Sequence, residues 1–187
     1  MMKRLLLCMG LFAVALPLSA QNMAAHKKPP LSPPEIATAT IGGHGITIMY
    51  SSPRVRGREG HIFGPGGLIQ KTHKEYPIWR AGANAATTLK TDGDLKIGDL
   101  TVPQGTYTLF VDIANPDHWT LVISKDTGEW GLAYNAADDL GRVKMHMRKP
   151  PQTIEDLKWS ITPEGGNKGK LTLAWEDHVA SVHFTAQ

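Results

Sequence analysis

Apolar and polar residues alternate with a period of two along most of the chain, in short runs separated by turn residues. Ile36–Ile41 and Ile46–Tyr50 flank Gly42-Gly43-His44-Gly45, which predicts a hairpin. Thr87–Lys90, Leu95–Ile97, Leu100–Val102, Thr106–Ile113 and Trp119–Ser124 follow, punctuated by Asp92-Gly93, Gly98-Asp99, Pro103-Gln104-Gly105 and Asn115-Pro116-Asp117. In Arg142–Arg148, Val143, Met145 and Met147 share one parity while Arg142, Lys144, His146 and Arg148 share the other. The same rhythm places Leu157, Trp159 and Ile161 together, then Leu171, Leu173 and Trp175, then Ala180, Val182 and Phe184. A strand presents successive side chains to opposite faces, so each run predicts one buried and one wet face. Helical periodicity is nearly absent. Many short strands at this spacing predict an all-β fold, an antiparallel β-sandwich of jelly-roll type. One long irregular loop follows the second strand: Arg54–Tyr76 breaks the rhythm with glycines and prolines and leaves room for one helical turn.

The N-terminal end differs from the body. Lys3 and Arg4 precede an uncharged stretch from Leu5 to Leu18 and then Ser19-Ala20, the layout of a secretory signal peptide over residues 1–20. Cleavage is expected after Ala20, with Ala25 as the fallback. Residues 21–34 hold Lys27-Lys28-Pro29-Pro30 and Ser32-Pro33-Pro34, a Pro-rich flexible leader, and residues 35–187 are expected to form a single sandwich domain. Localisation is therefore expected to be periplasmic or extracellular. The only cysteine, Cys8, lies in the segment expected to be removed, which excludes a disulfide scaffold.

Charge then changes meaning. The full chain has 20 Lys+Arg against 17 Asp+Glu, and loss of Lys3 and Arg4 lowers the net from +3 to +1. That balance gives no electrostatic basis for nucleic-acid binding, nor for membrane insertion after cleavage. It is uneven, however. Between residues 54 and 90, Arg54, Arg56, Arg58, Lys71, Lys74, Arg80 and Lys90 face only Glu59 and Glu75. Arg54, Arg56 and Arg58 share parity, so in an extended stretch they would repel one another unless an anion sat between them. Arg side chains offer planar forks to carboxylate or phosphate, and an anionic small molecule or saccharide is the expected partner.

The string Trp79-Arg80-Ala81-Gly82-Ala83-Asn84 allows two readings. In the structural one it forms a buried corner, where Arg80 meets a carboxylate and Asn84 ties the loop. In the functional one Trp79, or Trp130, is an aromatic platform beside Arg80. The ligand-binding candidates are thus Arg54, Arg56, Arg58, Trp79, Arg80, Asn84 and Trp130.

No catalytic set emerges: GxSxG, HExxH and GxxxxGK[ST] are all missing. The eight His residues match no zinc template, so neither metal nor cofactor is expected. His178, beside Asp177 at an expected hairpin turn, reads as a solvent-facing turn residue. The first functional reading is a non-catalytic binding or envelope-associated module. The alternatives are a hydrolase or isomerase of envelope saccharides or small acids, with His61 or His73 as acid–base candidates, and a purely structural protein-interaction domain.

Several strings together resemble a known bacterial family. Tyr50-Ser51-Ser52-Pro53, Gly57-Arg58, Ile62-Phe63-Gly64, Trp79 to Asn84 with Thr87-Thr88, Val102 to Phe110, Trp130-Gly131 and Leu173-Ala174-Trp175-Glu176 are similar to the family called domain of unknown function 2911. The resemblance spans roughly Ser32 to Phe184 and implies an exported, β-rich domain with no reaction or ligand to carry over. The chain departs from the pattern at Pro65–Tyr76, a longer loop bearing Lys71, His73 and Lys74.

Overall fold

A computed structural model describes residues 29–128 and 133–187. The N-terminal signal pattern and Trp130 lie outside the described residues. Two antiparallel sheets face each other over one apolar core. The first sheet is built from β1 (Pro34–Ile41), β2 (His44–Ser51), β4 (Thr87–Thr91), β7 (Gly105–Asp112), β8 (Thr120–Ser124) and β9 (Asp139–Lys144), in that order. A two-residue β3 (Ile78–Trp79) pairs with β7 at its end. The second sheet runs β11 (Ile154–Pro163), β12 (Lys168–Glu176), β13 (His178–Ala186), β5 (Leu95–Ile97) and β6 (Leu100–Val102), and β10 (His146–Arg148) pairs with β13.

Local chemistry explains the pairings. Gly42 and Gly43 turn β1 into β2 with φ of 61° and 88°, the doubly left-handed turn whose twist matches a hairpin. In β2, Ile46, Ile48 and Tyr50 are buried and Met49 is exposed; in β12, Leu171, Leu173 and Trp175 point inward. The alternation of Arg142–Arg148 is continuous in sequence but not in pairing. β9 hydrogen-bonds to β8 in the first sheet, the chain breaks at buried Met145, and β10 joins β13 in the second. One apolar parity is kept because both sheets face the same core.

The end of the sandwich beneath the long loop is filled by aromatic rings. Trp79 lies stacked 5.9 Å from Trp175 at 22°. The Phe63 ring stands 5.6 Å from Trp79, 4.9 Å from Trp119 and 5.6 Å from Trp175. His178 closes the group, stacked 4.8 Å from Trp119 at 11°. It is therefore part of this cluster and not the surface residue expected from its place beside Asp177. Its Nδ1 is 2.6 Å from Asp177 Oδ1 but poorly aligned for a hydrogen bond, and burial pushes its pKa down.

Candidate functional site

The segment after β2 turns away from the sheet and lays its arginines around a cavity. It does not run extended. Arg56 and Gly57 take φ of 52° and 69°, so the three arginines of equal parity fan apart. Arg54 turns outward and pairs with Asp156 of β11. Arg56 donates to the Leu31 carbonyl at 3.0 Å, and its backbone N–H reaches Glu155 Oε1 at 3.1 Å. Arg58 folds back on its own loop, with Nε donating to the Val55 carbonyl at 2.8 Å and Nη2 to the Arg54 carbonyl at 2.6 Å. This fanning sends the three guanidinium groups to different partners and relieves their mutual repulsion.

A short helix, α1 (Leu68–Thr72), crosses above the aromatic end. It buries Ile69 and delivers His73 at its C-terminal cap. Between α1, the Arg54–Arg58 turn and the strand end after Trp79 lies a cavity of about 240 Å³. Arg58, His73 and Arg80 supply its polar lining, and Leu68, Ile69 and Trp175 supply apolar wall; Arg54 and Arg56 also border it.

Arg80 is the unusual member. Its side chain is half-buried, its Nε is shut off from water, and that Nε has no hydrogen-bond partner. Burial pushes its pKa down, with no carboxylate acting in the other direction. The guanidinium nevertheless remains charged, since arginine does not deprotonate in proteins. Among the described residues, no carboxylate pairs with Arg56, Arg58 or Arg80. A charge withdrawn from water without a partner is costly, so the expected buried Arg80–carboxylate corner is corrected to a cation held open at a cavity.

His73 lies 8% exposed beside it. Burial first, and the Arg80 charge second, hold its pKa down at about 4, while its hydrogen bond to Ile69 acts in the opposite sense. A base depressed on folding binds protons more readily when unfolded. The stability it contributes is full above its ordinary 6.5 and lost as pH falls toward 4. The urea midpoint of His73→Leu is therefore expected to fall less steeply than that of wild type between those two pH values. Parallel slopes would mean an imidazole of ordinary basicity.

The other site candidates divide. Trp79 is completely buried and donates Nε1–H to the Gly82 carbonyl at 3.2 Å, so it is core and not a platform; among the described residues, the tryptophan that reaches the cavity wall is Trp175. Asn84 is exposed and touches only the Ser32 carbonyl, at 3.3 Å, so it is not the buried tie expected of it. Its φ of 58° shows what Asn supplies there: tolerance of a left-handed backbone. The tying is done by others. Trp159 Nε1 and the Thr87 hydroxyl both donate to the Ala81 carbonyl at 3.0 Å, and the Ala83 N–H donates to Ser51 O at 3.1 Å. The run of small residues is needed for this closeness, because a Cβ on Gly82 would stand 3.1 Å from Ser51 O.

A second cluster brings Glu176, Asp177 and His178 within 4.8 Å. Its members are already engaged: Glu176 accepts from the Gly60 N–H at 2.6 Å, and Asp177 lies 3.6 Å from Lys149. Burial raises the Glu176 pKa. This buried carboxylate anchors the long loop onto the β12–β13 turn. His61, the other acid–base candidate, is exposed and does not line the cavity.

A family model described as a protein of unknown function (DUF2911) matches residues 32–184. No curated protein and no solved structure matches the chain.

Proposed function

Since the chain belongs to the DUF2911 family, whose description carries no activity, we propose from the cavity alone that it is a non-catalytic module binding a small anion. The observation that carries this reading is the half-buried Arg80 guanidinium beside an open cavity, its Nε unpartnered and no carboxylate among the described residues paired with it. A half-buried charge gives up part of its solvation in the free protein, and an arriving anion offsets that loss. The Arg58 guanidinium, already oriented by two loop carbonyls, is the second positive group facing that space. Ligand pockets for drug-sized molecules run to about 300–1,000 Å³, so a cavity of about 240 Å³ suits a metabolite or a single sugar unit. Leu68, Ile69 and Trp175 give that ligand an apolar side to lie against.

The reading extends to place: the pattern of residues 1–20 supports a working chain outside the cytoplasm, where envelope saccharides and small acids are its available anions. The hydrolase or isomerase alternative draws its support from His73, whose Nδ1 is held by two oxygens as an oriented base would be. A pKa of about 4 favours binding over catalysis, because a general base works best near the operating pH.

The test is a thermal-shift titration with lactate, glucuronate, phosphate and chloride at matched ionic strength. At a hundredfold excess over Kd, linkage adds about 2.7 kcal/mol, which is roughly 5–10 °C for a chain of this size. The gain is expected to survive Arg54→Ala, since Asp156 already neutralises that residue. Failure of every anion to raise the midpoint would overturn the proposal.

A further inference from the structure

The same cavity carries a second unsatisfied group, and its protonation can be worked out from its neighbours. His73 Nδ1 lies 3.1 Å from the Ile69 carbonyl oxygen and 3.0 Å from Thr72 Oγ1. The carbonyl can only accept. The Thr72 hydroxyl spends its proton on the Leu68 carbonyl at 2.8 Å, so toward His73 it too accepts. Nδ1 must therefore carry the hydrogen, and a neutral ring then keeps a bare lone pair on Nε2. That atom is buried, has no partner, and belongs to a ring lining the cavity. An unmet buried acceptor costs free energy just as an unmet donor does.

From this pairing we infer that the ligand is a hydroxylated carboxylate of monosaccharide size or smaller, a hydroxy acid or sugar acid. Its carboxylate meets Arg80, and a hydroxyl donates to His73 Nε2. The inference rests on the anion-binding reading and narrows it. A fully ionised anion with no hydrogen to donate satisfies the guanidinium and leaves the imidazole unmet. A ligand bearing both groups satisfies both. Because Nε2 is closed off in the free protein, the assignment requires the ring to turn about its Nδ1 hydrogen bond toward the cavity that His73 lines as the ligand enters. The apolar wall of Leu68, Ile69 and Trp175 fits the carbon skeleton that separates the two polar ends. His73 is in this assignment a specificity-determining residue.

The experiment compares matched pairs by calorimetry on the whole protein at neutral pH: lactate against propionate, and glucuronate against cyclohexanecarboxylate. The hydroxylated member of each pair is expected to bind about tenfold tighter or more, as sites built to bond a hydroxyl reject analogues lacking it. His73→Leu is expected to erase that preference while retaining binding of the carboxylate. Imidazole ¹⁵N shifts in the wild type give a readout independent of the variant's folding. They are expected to show the Nδ1–H tautomer, with the Nε2 resonance moving on addition of lactate and not of propionate. Equal affinities within each pair would overturn the hydroxyl assignment and leave anion binding standing. A preference that survives in a folded His73→Leu would remove the role from His73. Binding of neither member would overturn both readings.

Discussion

Replacing Arg80 with methionine is expected to leave the free protein at least as stable as wild type and to abolish its stabilisation by anions. The side chain is half-buried, its Nε is sealed from water, and no acidic partner among the described residues compensates it. Methionine keeps much of the aliphatic stem that packs near His73 and removes the desolvated charge. Buried charged groups exchanged for apolar ones of similar volume are commonly neutral or stabilising. The melting temperature without ligand should thus hold or rise by a few degrees. With anion at a hundredfold excess over the wild-type Kd, the gain of about 2.7 kcal/mol expected of the wild type should vanish. Gain in stability with loss of binding is the signature of a residue kept for its ligand at the expense of the fold. A free variant destabilised by more than about 2 kcal/mol would show instead that the guanidinium holds the loop together.

The frame and the site were legible to different degrees because they depend on different ranges of interaction. Strand faces follow from neighbours two residues apart, so β2, β7, β12 and β13 can be read directly from alternation. The transfer of the chain from one sheet to the other at Met145 left no mark, since both sheets bury the same parity against one core. The two-residue β3 is too short for any periodicity. Around the cavity, the local excess of positive charge marks the segment that borders it. Which arginines are neutralised depends on partners far along the chain: Asp156 lies 102 residues from Arg54, and no carboxylate among the described residues meets Arg80. His73 stood only among the acid–base candidates, because its lone pair becomes visible once Thr72 and the Ile69 carbonyl are placed around Nδ1. The roles of Trp79 and Trp175 are hidden for the same reason. Trp175 sits in a clean alternating run and still reaches the cavity, whereas Trp79, beside the charged loop, faces wholly inward.

That inward placement leads to the largest stability effect expected of a single substitution here. Trp79→Ala should cost about 3–5 kcal/mol, the range for emptying a large aromatic from a packed interior. Three rings lose a neighbour at once: Trp175 stacked 5.9 Å away, Phe63 at 5.6 Å and Trp119 at 6.2 Å. The Gly82 carbonyl also loses its indole donor, on the segment that carries Arg80 toward the cavity. Domains are stable by only about 5–15 kcal/mol, so this loss takes a large share of the total and lowers the melting temperature by roughly 6–20 °C. Urea denaturation of the variant measures it. Trp79→Phe, which keeps most of the ring area and gives up the indole N–H, should recover more than half. An indole serving as a ligand platform behaves in the opposite way, because its removal exposes a little cavity wall and costs the fold almost nothing. A loss below about 1 kcal/mol, accompanied by loss of the anion response, would therefore return Trp79 to the cavity and take the aromatic end of the sandwich apart as described.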